Sequence, residues 1–224
     1  MSEALRSSVA GLRDRIARAG RDPDTVTLVA VTKGFGLDVV LDALGSGLVD
    51  LGENYAQDLH SKADALDAAQ RAAVRWHFIG RLQTNKTRAV AEAFQWVHTV
   101  DRDKIARRLN EQRPQHAPPL NVLIQVNQAN EPQKAGVAPR DVAPLARAIR
   151  ALPRLELRGL MTVPPAEDSS EHWFAELAAL RRALAADGIE LDTLSMGMSA
   201  DFEAAIAAGS NCVRIGTAIF GARR

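Results

Sequence analysis

Thr27-Leu-Val-Ala-Val-Thr32, followed at once by Lys33, is too short for a helix, rich in β-branched residues and apolar on both faces. Those features describe a strand buried on both sides, as in a parallel sheet covered by helices. Upstream, Leu5, Val9, Leu12 and Ile16 form the stripe of an amphipathic helix, which Gly20 and Pro23 terminate. Downstream, short strand-like runs recur at 48–51, 74–79, 95–100, 120–126, 155–160, 191–195 and 212–215. Helical segments are expected between them: from Glu53 to about Leu66, from about Gln83, after Asp101, and over the stripe Val142, Leu145, Ile149, Leu152. A further stripe, Trp173, Leu177, Leu180 and Leu184, follows a capping box at Asp168 and Glu171. Eight strands alternating with helices in 224 residues predict an α/β chain built as a single (β/α)8 TIM barrel, one domain over residues 1–224. An open doubly wound sheet is the alternative. No Gly-x-Gly-x-x-Gly follows the first strand to support it, and no low-complexity linker divides the chain.

Composition narrows the function classes. Hydrophobic residues make up 46% and charged residues 25%, as in an ordinary globular protein. With 28 Lys and Arg against 27 Asp and Glu, the net charge of +1 argues against phosphate-backbone binding, so no nucleic-acid partner is expected. No run approaches the ~18 apolar residues of a membrane span, and the N-terminus lacks the apolar core of a secretory signal. A cytoplasmic monomer is the expectation. Cys212 is the single cysteine, which excludes an intrachain disulfide and a cysteine zinc cluster. The five histidines, at 60, 77, 98, 116 and 172, have no metal-ligand spacing, so no metal is expected.

In a barrel of this kind the chemistry sits where strands end. The polar residues there include Lys33, Asn54, Arg81, Asp101, Asn127, Ser195, Arg214 and Thr217. Lys33 shares a strand face with Val29 and Val31, the face expected to point inward. An apolar surround disfavours the charged amine, and a neutral amine is what a Schiff base requires. The competing reading is a lysine snorkelling out of the strand end. Gly216 and Thr217 follow the last strand, where barrel enzymes build phosphate sites. Ser199 precedes a helical stretch, either as an anion ligand or simply as an N-cap. Arg214 shares the inward face with Cys212 and Gly216 and needs an acceptor, for which a neighbouring carboxylate would serve. His77 and His98 fall within strands and read as satisfied core or pocket residues. An amine after strand 1 and a phosphate site after strand 8 are the two anchors of a phosphorylated aldehyde.

Six motifs in order, Ala30-Val-Thr-Lys33, Leu51-Gly-Glu-Asn-Tyr55, Trp76-His-Phe-Ile-Gly-Arg-Leu-Gln-Thr-Asn-Lys86, Gly159-Leu-Met161, Ser195-Met-Gly-Met-Ser-Ala-Asp201 and Arg214-Ile-Gly-Thr-Ala-Ile-Phe-Gly221, resemble the pyridoxal phosphate homeostasis proteins. These are single-domain relatives of the alanine racemase N-terminal barrel. The resemblance implies pyridoxal 5′-phosphate held as a Schiff base on Lys33. It further implies phosphate contacts from Ser199, Gly216 and Thr217, Arg214 at the pyridine nitrogen and Asn54 lining the cofactor. It also implies a role in vitamin B6 and amino-acid or keto-acid balance, with apo-enzymes as recipients and no established turnover. Because Arg214 carries only donors, a ring nitrogen bonded to it must be unprotonated and is a weak electron sink. The chain has one tyrosine, Tyr55, and ends at Arg224 just past the eighth strand, so the second base and second domain of a racemase are not expected. An amino-acid racemase using the same cofactor is the alternative, and a cofactor-free Schiff-base aldolase a third reading. Gly34-Phe-Gly36 stands where many relatives have a proline, which leaves the shape of that loop open. Lys134, in Gln133-Lys-Ala-Gly136, is either a second amine near the barrel mouth or an exposed loop lysine.

Overall fold

The strand pattern closes on itself. The computed structural model describes residues 3–165 and 169–221. Helix α1 (Glu3–Arg18) leads into β1 (Thr27–Val31), and α2 (Leu37–Gly45) connects it to β2 (Asp50–Glu53). Helices α3 (Ala56–Asp64) and α4 (Ala68–Ala73) precede β3 (Arg75–Phe78), and α5 (Thr87–Ala93) precedes β4 (Trp96–Val100). Then come α6 (Asp103–Gln112), β5 (Leu120–Gln125), α7 (Val142–Arg150), β6 (Leu155–Met161), α8 (Ser170–Ala186) and β7 (Thr193–Ser195). Helix α9 (Phe202–Ala207) leads to β8 (Cys212–Ile215), and α10 (Thr217–Phe220) follows it. The eight parallel strands form a closed barrel in chain order. Pairing of β1 with β8, with Val29 opposite Arg214, excludes the open sheet.

The helices cover the barrel with the stripes that the periodicity marks. Leu5, Val9, Leu12 and Ile16 of α1 are all buried. Arg15, on the same helix, ties it to α9 by paired bonds to Glu203 (2.7 and 2.8 Å). The exception is α8, whose buried residues are Phe174, Leu177, Ala178 and Leu184, with Trp173 half-buried. Asp168 of the expected capping box lies outside the described residues, and Ser169 occupies the N-cap. Leu152 sits past the end of α7 but still packs on the core. Helices α2 and α4 were not among the expected segments.

Strand β2 departs most from expectation. The run Leu48-Val-Asp-Leu51 suggests a strand, yet pairing begins only at Asp50 and runs on to Glu53. Asp50 can enter the strand because Arg75 and His77 satisfy its carboxylate there. Glu53 therefore ends a buried strand and does not start a helix. Between β6 and β7 the approach is so close that a Cβ on Gly159 would lie 1.8 Å from the Thr193 carbonyl oxygen, so only glycine fits. Among the described residues no helix is long and apolar enough to cross a membrane.

Candidate functional site

At the C-terminal end of the barrel lies a cavity of about 430 Å³. All six nominated residues line it: Lys33, Asn54, Ser199, Arg214, Gly216 and Thr217. Val31, Ile79 and Met161 supply apolar wall. A neighbouring cavity of about 370 Å³ shares Asn54 but contains neither Lys33 nor the residues that follow β8.

Local chemistry places Lys33. The Phe35 amide donates to the Thr32 carbonyl (3.1 Å), closing a turn across Lys33 and Gly34. Gly34 has φ +74°, the left-handed value that the third position of a type II turn needs. That settles the loop shape left open by Gly34-Phe-Gly36. Phe35 lines the cavity and packs on Phe220 with ring centroids 5.5 Å apart. Beneath the turn, Glu53 Oε1 accepts from the Thr32 hydroxyl (2.6 Å) and from Lys62 Nζ (2.6 Å), and Lys62 also donates to the Thr32 carbonyl (2.9 Å). This buried cluster joins the residue before Lys33 to the residue before Asn54. Burial pushes the Glu53 carboxyl above its ordinary range, with Lys62 and Thr32 opposing. Sequence reasoning missed Lys62. Its signal was the spacing of Ala56, Leu59 and Lys62 along the buried face of α3.

Arg214 is buried and does not take the carboxylate partner considered from sequence. Its hydrogen-bond acceptors among the described residues are the Ser195 carbonyl (2.7 Å), the Ser195 hydroxyl (2.6 Å) and the Thr162 carbonyl (2.8 Å). Burial pushes its pKa down, but a guanidinium stays protonated in proteins. These bonds use at most three of its five N–H donors.

Ser199 is not the N-cap of α9, a position held by Asp201. The Ser199 hydroxyl instead accepts from the Ala218 amide (3.3 Å) in the first turn of α10, beside Thr217. Gly216 has φ −115°, and a Cβ there would meet nothing nearer than 3.6 Å. Neither a positive φ nor a close contact demands glycine there. Lys134 pairs with Glu131 (2.6 Å), donates to the Pro164 carbonyl (3.1 Å), and does not line the cavity.

The family of the alanine racemase N-terminal domain matches residues 3–224. The chain belongs to this family. Within the racemase-barrel family, it is 51% identical over 226 residues to a pyridoxal phosphate homeostasis protein of Pseudomonas aeruginosa, covering 100% of this chain and 96% of the relative. The Escherichia coli K12 protein of the same name is 47% identical over 225 residues, covering 96% and 95%. PipY of Synechococcus elongatus, solved with pyridoxal phosphate bound, superposes with a TM-score of 0.85 at 30% identity, covering 97% of this chain and 100% of PipY. An alanine racemase of Clostridium difficile shares the fold at a TM-score of 0.76 and 14% identity, with 60% of its length covered.

Proposed function

We propose that this chain binds pyridoxal 5′-phosphate as a pyridoxal phosphate homeostasis protein, holding the cofactor as a Schiff base on Lys33 and passing it to apo-enzymes. The observation that carries this reading is the shared cavity. An amine, a buried arginine with neutral acceptors, and the Ser199, Gly216 and Thr217 cluster line one space of about 430 Å³. Those groups fit the ligand's aldehyde, ring nitrogen and phosphate respectively. Lys33 would hold the ligand through its aldehyde, its amine supplying the nucleophile for a Schiff base with water as the leaving group. Asn54, set by the Glu53 cluster, lines the same space. When bound, the cofactor supplies an electrophilic carbon and an electron-withdrawing ring.

Holding rather than turnover is the reading that the lining supports. Among the described lining residues Lys33 carries the one amine that could serve as a base, the others being apolar, amide, hydroxyl or guanidinium groups. Tyr55 is 63% exposed and lines the neighbouring cavity instead. A single base does not exchange a proton across two faces of a substrate efficiently. The test is the near-visible absorbance of the loaded protein and borohydride trapping. Lys33→Ala is expected to lose both and stay folded. Trapping on another lysine overturns the assignment, absence of near-visible absorbance in the loaded wild type supports the aldolase reading, and sustained racemisation of an amino acid supports the enzyme reading.

A further inference from the structure

Four polar residues run through the middle of the barrel, and only the last of them, Ser195, touches the site just described. Asp50 is the first residue of β2, His77 lies in β3, His98 in β4, and Ser195 ends β7. All four are buried. Asp50 Oδ1 lies 2.9 Å from His77 Nε2, His77 Nδ1 lies 2.9 Å from His98 Nε2, and His98 Nδ1 lies 2.9 Å from the Ser195 hydroxyl. That hydroxyl accepts from Arg214. At the other end Arg75, half exposed at the barrel rim, grips Asp50 through two bonds (2.7 and 2.6 Å). The His77 ring stacks on Trp96 at 5.5 Å and 10°, which fixes its plane. Among the described residues no group of three His, Cys, Asp or Glu is placed to hold a metal, so the arrangement is a line and not a cage.

The proton positions along this line follow from its ends. Burial raises the Asp50 carboxyl, but Arg75 and His77 outweigh burial and bring it to about 2, so it is an acceptor. His77 Nε2 must then donate. Burial lowers His77 despite Asp50, and burial, with His77 and Arg214 adding to it, holds His98 well below the ordinary histidine range. Both rings are therefore neutral, each with one donor and one acceptor. His77 Nδ1 accepts, so His98 Nε2 donates and His98 Nδ1 accepts from the Ser195 hydroxyl. Ser195, its proton committed to His98, offers only a lone pair to Arg214. Cys212, the other titratable group beside Ser195, stays a neutral thiol because burial pushes it up to about 11. Every bond in the line points the same way, from guanidinium to carboxylate.

We infer that Asp50, His77, His98 and Ser195 are positioning residues for Arg214, a one-directional hydrogen-bonded line through which a carboxylate at the far end of the barrel orients the guanidinium in the cofactor cavity. The line supplies an acceptor in a fixed place without putting a carboxylate beside the ligand. A carboxylate there would take Arg214's remaining donors and cancel its field; a hydroxyl and two carbonyls leave them for a ring nitrogen. The role toward the ligand rests on the binding reading above, whereas the line itself does not.

Two arms test it separately. In the unloaded wild type, long-range ¹H–¹⁵N NMR at pH 7.5 is expected to find His77 and His98 both neutral with the proton on Nε2. An Nδ1–H form, or a charged ring, overturns the line. In the second arm pyridoxal phosphate is titrated into His98→Leu, His98→Gln and wild type, with folding checked by circular dichroism. Glutamine can donate to His77 and accept from Ser195, whereas leucine does neither. His98→Leu is expected to weaken binding about three- to tenfold and to move the ¹⁵N resonance of the labelled ring nitrogen, with His98→Gln recovering most of both. Identical affinity and resonance in all three overturns the positioning role. Should His98→Leu fail to fold, Ser195→Ala gives the same reading, because it deletes the hydroxyl link and keeps the carbonyl. A wild type that takes up no pyridoxal phosphate overturns the binding reading while the tautomers still decide the line.

Discussion

Lys62 and Arg214 are both buried cations, with 6% and 4% of their surface exposed, and they are neutralised in opposite ways. Lys62 touches the Glu53 carboxylate directly at 2.6 Å. Arg214 touches two carbonyls and a hydroxyl, and the nearest carboxylate on its hydrogen-bonded line, Asp50, stands three residues away through Ser195, His98 and His77. A cation in direct contact with its counter-ion is committed to structure: Lys62 locks the ends of β1 and β2 under Lys33 and Asn54. A cation held by neutral oxygens keeps donors and charge for a ligand. The fold uses the first kind below the cavity and the second kind in its wall.

Breaking the direct pair should cost most. Lys62→Met leaves Glu53, fully buried and with Oε2 already lacking a hydrogen-bond partner among the described residues, as an unpaired charge. A loss of about 3–5 kcal/mol in urea denaturation is expected. The double variant Glu53→Leu with Lys62→Met should recover most of it, and an equal loss in the double would mean that packing, not charge, dominates the cluster. Arg214→Met is the matched experiment. It strands only neutral acceptors, so a smaller stability loss of about 1–3 kcal/mol is expected, together with weakened cofactor binding. If it costs as much stability as Lys62→Met, the contrast between the two cations fails.

The phosphate end should respond in affinity more than in stability. Each hydrogen bond to a charged group contributes about 1.5–3 kcal/mol, so Ser199→Ala or Thr217→Val should weaken pyridoxal phosphate binding roughly ten- to a hundredfold. Urea midpoints of the same variants should stay close to wild type, since Ser199 caps no long helix. A stability loss without an affinity loss would return Ser199 to a structural role.

The smallest expected effect is the acid sensitivity of the histidine line. His77 and His98 have folded pKa values depressed by burial, so the unfolded chain binds more protons as the pH drops past about 6.5. Their contribution is complete above that value and is lost as the pH falls toward their folded pKa values. Between pH 8 and 6, stability should fall by up to about 0.8 kcal/mol for each histidine that stays neutral in the folded state. Thermal melts of His98→Gln across the same range should show a shallower slope, and an unchanged slope would mean that His98 titrates normally in the fold.

Much of the site was legible because it follows strand periodicity. The run 212–215 coincides with β8, and alternation along it sets Cys212, Arg214 and Gly216 on one face from spacing alone. Lys33 stood out as a charge ending an apolar strand. Asp50 and Lys62 were harder to read: spacing puts Asp50 in the run 48–51 and Lys62 in line with Ala56 and Leu59, but a charged residue on a buried face breaks the apolar pattern that reveals such faces. Their partners supply the missing reason, and those partners lie on other elements: Arg75 and His77 for Asp50, Glu53 and Thr32 for Lys62.

The sequence by itself determined the number and order of strands, the helices between most of them, and the chemical groups at strand ends, because these depend on spacing within a few residues. Tertiary structure alone decided that β8 pairs with β1, which brings Lys33, Arg214 and Thr217 to one cavity from opposite ends of the chain. It also decided that Arg214 rests on Ser195 and Thr162 and reaches Asp50 through two neutral histidines. Hydrogen-bond acceptors are chosen by distance and angle in space, and barrel closure sets those for residues that local spacing cannot relate.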